Sequence, residues 1–229
     1  MLDAIEIDPG RAVAAVIWLH GLGADGYDFE PLAAGLELPF GVRFVFPHAP
    51  VRPVTINGGV RMRAWFDLLT LDATGQEDEA GIRASAAQIH ELIERERARG
   101  LDPRRIALAG FSQGGAIALH AALREAHPLA GVLALSAYLP LPHTVCAERP
   151  AADLGVPIWM AHGSDDPVIP LSRAVLSRDF LSSLGYAVNW RTYAMGHAVC
   201  AEEVRDLNEW LIPRLQGAPS GDRRFSPAR

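Results

Sequence analysis

The sequence predicts an α/β fold: one mostly parallel central sheet with helices on both faces. Three observations carry that reading. Short, nearly continuous apolar runs recur along the chain, as expected of strands covered on both sides. Amphipathic or buried helical patterns separate the later runs. The chain, at 229 residues, suits one large domain with a sizeable core.

The strand-like runs are "AVAAVIWL" (12–19), "VRFVFP" (42–47), "IALAGF" (106–111), "GVLALSA" (131–137), "VPIWMAH" (156–162) and "AVNWRTY" (187–193). Between them, Ile82, Ala86, Ile89 and Ile93 recur at steps of four, three and four and form one apolar stripe of a helix over 79–99. Gly100 suits a left-handed C-cap there, with Pro103 just beyond. A buried helix is expected over 114–127, ended by Pro128, and further helices over 171–185 and 198–212. Residues 48–78 are turn-rich, with Pro50, Pro53 and "NGG" at 57–59, and show no helix pattern. Connections of that length tend to be functional. The domain is expected to span 1–215, and the polar, Pro/Gly-rich residues 216–229 read as a disordered tail.

Composition removes several function classes. The hydrophobic fraction of 49% is that of a globular protein. A net charge of −6, with no basic patch or aromatic-interleaved basic run, argues against nucleic acid. All 21 basic residues are arginines, so Schiff-base chemistry and a phosphate-loop lysine are both out. Two cysteines, Cys146 and Cys200, do not make a disulfide scaffold. The start carries Asp3, Glu6 and Asp8 rather than a basic leader, and no run reaches the length of a membrane span. A cytoplasmic protein without stable membrane insertion is expected. No H-E-x-x-H or clustered His/Asp set appears, so a metal-dependent hydrolase is disfavoured.

The most informative stretch is Gly110-Phe111-Ser112-Gln113-Gly114, a G-x-S-x-G sequence placed where a strand should become a helix. In that setting the serine occupies a strained turn that lifts its hydroxyl clear of the sheet. A serine nucleophile needs a base and an orienting acid, in the chain order Ser, Asp, His. Downstream, "HGSDDPVIP" (162–170) and "MGHAVC" (195–200) each place candidates just past a strand. His197 is the expected base. Asp165 and Asp166 both qualify as the acid; loop register favours Asp166, with Asp165 holding the turn. The remaining histidines sit too early or within helices and turns, and Cys200 lacks an elbow of its own. A histidine base must be neutral, so activity should fall on acidification.

"HGLGADG" (20–26) follows the first strand. It also fits G-x-G-x-x-G, yet no long apolar helix follows it and no acidic strand end lies about 20 residues on, so a dinucleotide site is disfavoured. A His-Gly loop here can instead supply the second oxyanion donor, and the backbone N–H groups of Leu22 and Gln113 are the expected oxyanion hole.

Taken together, "HGLGADG", "APVRPVTINGGVRMRAWFD", "EAGI" followed by Ser85, "GFSQGG", "HGSDDPVIP" and "MGHAVC" resemble the bacterial carboxylesterases and acyl-protein thioesterases of the phospholipase/carboxylesterase family, over roughly residues 14–213. The resemblance implies the α/β-hydrolase fold, the triad Ser112, Asp166 and His197, and oxyanion donors Leu22 and Gln113. It implies no cofactor, and substrates that are small carboxylic esters of short to medium acyl chain. It also implies that the segment with Trp65 and Phe66 borders an acyl-binding groove, and it allows a homodimer through apolar surface near that groove. Arg63 and Phe66 depart from the proline and tyrosine common in the family, which weakens any transfer of chain-length preference. Thioesters or lysophospholipids are the alternative substrates on the same site. A non-catalytic binding module is the remote one.

Overall fold

The computed structural model describes residues 2–70, 76–150 and 155–216. The expected tail beyond Gln216 and part of the 48–78 connection lie outside them. In chain order the strands are β1 (Ala4–Ile7), β2 (Ala14–Leu19), β3 (Val42–Pro47), β4 (Val51–Val54), β5 (Val60–Arg63), β6 (Ile106–Phe111), β7 (Gly131–Leu135), β8 (Ile158–Gly163) and β9 (Val188–Tyr193). The helices are α1 (Glu30–Ala34), α2 (Glu79–Ala98), α3 (Gln113–Ala122), α4 (Val145–Glu148), α5 (Leu171–Ser183) and α6 (Ala201–Leu215).

Seven strands form one sheet in the order β1-β3-β2-β6-β7-β8-β9. Every pairing from β3 to β9 is parallel; only β1 runs antiparallel, with Ile5 opposite Phe46. Side chains alternate between the two faces of a strand, and β2 shows both faces filled. Ile17 and Leu19 pack with Ile82, Ile89 and Ile117 of α2 and α3. Val16 and Trp18 pack with Ala33 of α1 and Leu207, Trp210 and Leu211 of α6. This two-sided burial is why the central strands read as unbroken apolar runs.

The short helices α1 and α4, strand β1 and the β4–β5 hairpin were not anticipated. Strand β1 holds Glu6 and is flanked by Asp3 and Asp8, the acidic positions that read as a polar start; half-buried at the sheet edge, it is too short to show a clear alternation. Within 48–78, β4 and β5 pair as an antiparallel hairpin, with Val54 opposite Val60 and a turn through Gly58 and Gly59 at φ +66° and +78°. Two helices also shift at their ends. Helix α3 stops at Ala122, five residues short of His127. Helix α6 starts at Ala201, because Cys200 caps it with Sγ accepting the Glu203 N–H at 3.5 Å, and it runs on through Pro213. Gly100 closes α2 at φ +95°, as expected.

Candidate active site

Ser112 sits between the last residue of β6 and the first of α3, at φ +55° and ψ −121°. A non-glycine residue with positive φ is strained, and close packing holds it there. A Cβ on Gly110 would lie 2.4 Å from the Gly114 carbonyl carbon, and one on Gly114 would lie 2.4 Å from the Leu19 carbonyl oxygen. Only hydrogen at both positions lets α3 cross this near to β6 and β2. The Ser112 N–H is fixed by the Leu135 carbonyl of β7 at 2.9 Å.

Asp166 and His197 come from the loops after β8 and β9, and these loops are laced together. The N–H groups of Ser164 and Asp165 donate to the carbonyls of Tyr193 and Met195 at 2.8 and 3.1 Å. His197 then bridges the two partners: its Nδ1 lies 2.7 Å from Asp166 Oδ2 and its Nε2 2.9 Å from Ser112 Oγ. With Asp166 ionised, Nδ1 carries the proton and Nε2 accepts the serine hydroxyl. The Phe111 ring packs against the imidazole with centroids 4.7 Å apart. Asp165 is exposed, and its Oδ2 accepts the Ser164 hydroxyl at 2.8 Å, a turn contact.

The surroundings keep Asp166 charged. Its burial favours the neutral acid, but the His197 hydrogen bond and the N–H groups of Ile169 (2.9 Å) and Val168 (2.8 Å) outweigh this, and the pKa falls below the ordinary carboxylate value. His162, fully buried, lies 3.3 Å from the same Oδ2 and donates through Nε2 to the Ile169 carbonyl at 2.8 Å. Burial lowers its pKa, so it braces the loop as a neutral ring.

Leu22 and Gln113 both line the cavity in front of Ser112. Gln113 opens α3, where the first N–H groups have no intrahelical acceptor and the helix dipole is positive. Leu22 lies in the turn 21–24, with Gly23 at φ +79° and the Ala24 N–H donating to Gly21 O. Several bonds hold this turn rigid. His20 donates through Nδ1 to Gly21 O (2.7 Å) and accepts the Ala49 N–H at Nε2 (3.0 Å); burial drives its pKa down to about 4, keeping it neutral. The Gly23 N–H donates to Arg63 O at 2.9 Å, so the end of the β4–β5 hairpin supports this turn.

Trp65 and Phe66 part company. Phe66 lines the cavity in front of Ser112, a space of about 320 Å³ also bounded by Leu22, Leu68, Tyr138, Ile169 and Arg173. Trp65, expected at the groove, is instead fully buried beneath it and does not line that space. Its indole N–H donates to His20 O at 2.9 Å, so it fixes the oxyanion loop from below. The reason for the inversion is the Gln113 side chain, which sequence reasoning passed over. Gln113 Oε1 accepts the Trp65 N–H and Nε2 donates to Phe66 O, both at 2.8 Å. Ser85 of α2 donates to the Trp65 carbonyl as well. Gln113 and Trp65 lie 48 residues apart in sequence, so no local pattern signals this strap.

Among the described residues, Glu94, Glu125 and His127 bring ligand atoms within 4.8 Å of one another. Arg97 already holds both Glu94 oxygens, at 2.5 and 2.6 Å, and no triad member belongs to the group. Both cysteines are free thiols. Among the described residues no helix is long and apolar enough to cross a membrane.

Comparison with known proteins bears on the family and the fold. Residues 3–213 match the model of the phospholipase/carboxylesterase family. Acyl-protein thioesterase 1 of Neurospora crassa is 39% identical over 217 residues, covering 90% of this chain and 88% of that protein. The crystal structure of SOBER1 from Arabidopsis thaliana superposes with a TM-score of 0.84 at 29% identity, covering 88% of this chain and 99% of the other. Acyl-protein thioesterase 2 of Zea mays gives a TM-score of 0.82 at 29% identity, over 94% and 100%. These relatives are fungal and plant proteins, so the likeness is not specific to bacterial carboxylesterases. With its parallel sheet, its serine elbow and this match over nearly the whole folded chain, the protein belongs to the phospholipase/carboxylesterase family of α/β-hydrolases.

Proposed function

We propose that the protein hydrolyses acyl thioesters, and oxygen esters of the same acyl groups, through Ser112. The observation that carries the chemistry is the unbroken hydrogen-bonded line from Ser112 Oγ through His197 to Asp166. His197 Nε2 takes the Ser112 proton as Oγ attacks the carbonyl carbon. The oxyanion is received by the N–H groups of Leu22 and Gln113. Protonated His197 then gives that proton to the leaving thiol or alcohol, and the acyl group stays on Ser112. Water, deprotonated by the same imidazole, attacks the acyl-serine, and the carboxylate leaves as Oγ recovers its proton. Asp166 holds the reactive tautomer and stabilises the imidazolium.

Thioesters lead this reading, ahead of the short- to medium-chain oxygen esters first expected, because curated relatives at 36–39% identity are named acyl-protein thioesterases. The test compares a thioester with an oxygen ester of the same acyl group. The thioester is expected to have the higher kcat/KM, and Ser112→Ala to lose at least about 10⁴-fold on both. A clear preference for the oxygen ester would return the reading to a carboxylesterase. A Ser112→Ala variant as active as wild type would remove Ser112 from the chemistry.

A further inference from the structure

The cavity in front of Ser112 is walled mainly by apolar side chains, yet one arginine reaches it. Arg173 enters from the first turn of α5 with its side chain 13% exposed. Its guanidinium carbon lies 3.4 Å from the centre of the Tyr138 ring. Its Nη2 is 3.6 Å from Glu77 Oε1, beyond hydrogen-bond reach. It forms an ion pair with Glu77, and the Tyr138 hydroxyl is its other polar neighbour. Glu77 is also engaged elsewhere, with Oε2 accepting the Leu141 N–H at 2.8 Å. The position is also electrically unfavourable, because the first turn of a helix favours anions over cations. Helix stability therefore does not explain an arginine here.

We propose that Arg173 is an anion subsite within the catalytic cavity, and that the substrate carries a carboxylate that docks on it. The proposal rests on the hydrolase reading above and narrows its substrate class. Tyr138 covers one face of the guanidinium, so ligands approach its edge, where the planar fork of N–H donors matches a carboxylate in two parallel hydrogen bonds. Glu77 beside the arginine and Asp28, exposed on the oxyanion-loop side of the cavity, both repel a dianion, so a monoanionic carboxylate fits better than a phosphate.

The carboxylate can belong to the acyl part or to the leaving group, and two pairs of substrates separate these. The first pair is the mono-4-nitrophenyl ester of adipate or suberate against the methyl-terminated ester of equal length. The second is an acyloxybenzoate against the corresponding phenyl ester. In one of the two pairs, wild type is expected to favour the charged member by about tenfold or more in kcat/KM. Arg173→Gln should erase that preference through KM, bringing the ratio of kcat/KM between charged and uncharged members to about one. Arg173→Lys should restore part of it. Absence of any preference in both pairs overturns the proposal, as does an equal loss on charged and uncharged substrates. A second readout is independent of turnover: calorimetric titration of Ser112→Ala with monomethyl adipate, a monoanion, and with uncharged dimethyl adipate. Tighter binding of the monoanion that the added Arg173→Gln change abolishes supports the subsite even if neither ester nor thioester is hydrolysed. Equal binding of the two compounds, or monoanion binding that survives the change, overturns it.

Discussion

Asp166 is held by more than its histidine. Val168, Ile169 and His162 all approach its carboxylate, and the net effect lowers its pKa. Its folded value lies below the ordinary 3.8, so its stabilising contribution is present above 3.8 and is lost as pH falls through the depressed value. Asp166→Asn keeps the shape but offers His197 an amide that favours the wrong tautomer; kcat should drop by about 10⁴-fold while KM changes little, in steady-state assays. Gln113→Ala tests the strap. It leaves the oxyanion N–H in place but strands the buried Trp65 N–H and Phe66 carbonyl. Two unsatisfied buried groups should cost about 2–4 kcal/mol in urea unfolding, with a fall in kcat as the oxyanion loop loses its brace.

Among the elements, α6 carries an unusual burden. Glu203 in its first turn is fully buried, and neither carboxyl oxygen makes a hydrogen bond among the described residues. Burial pushes its pKa from 4.5 up to about 8. Between these values the folded chain holds a proton that the unfolded chain releases, so stability falls as pH rises. The contribution is full below 4.5 and lost through about 8. Glu203→Gln should flatten this part of the pH–stability profile and make the protein more stable than wild type above about pH 8, read as urea midpoints across the range. A parallel fall in both proteins would place the titration elsewhere. The central strands were legible because burial on both faces leaves an apolar run that polar neighbours cannot disguise. Strand β1 and the β4–β5 hairpin were not, since these four-residue strands are too short to set a pattern and mix polar residues, such as Glu6 and Arg61, with apolar ones.

Over the whole molecule, the triad was readable because each member follows a parallel strand, where loops gather at one sheet edge. What supports the triad was hidden, because contacts such as Gln113 to Trp65 or His20 to Ala49 join positions with no shared local pattern. The elbow glycines show how far such closeness reaches: Gly114→Ala would drive a methyl into the Leu19 and His20 carbonyls, at 2.4 and 2.5 Å. A loss of about 3 kcal/mol or more, with activity gone, is expected from unfolding and assay of that variant. The same long-range construction governs how the chain arrives at its shape. Ala15 pairs with Ile106, and Ser112 meets His197 across 85 residues, so little of the site can assemble from neighbouring sequence. Chains dominated by distant pairings fold slowly. Catalysis should therefore serve as a clock for the final docking of the loops: on dilution from urea, helical circular dichroism should return before hydrolysis does, and simultaneous recovery would mean that sheet and loops close in one step.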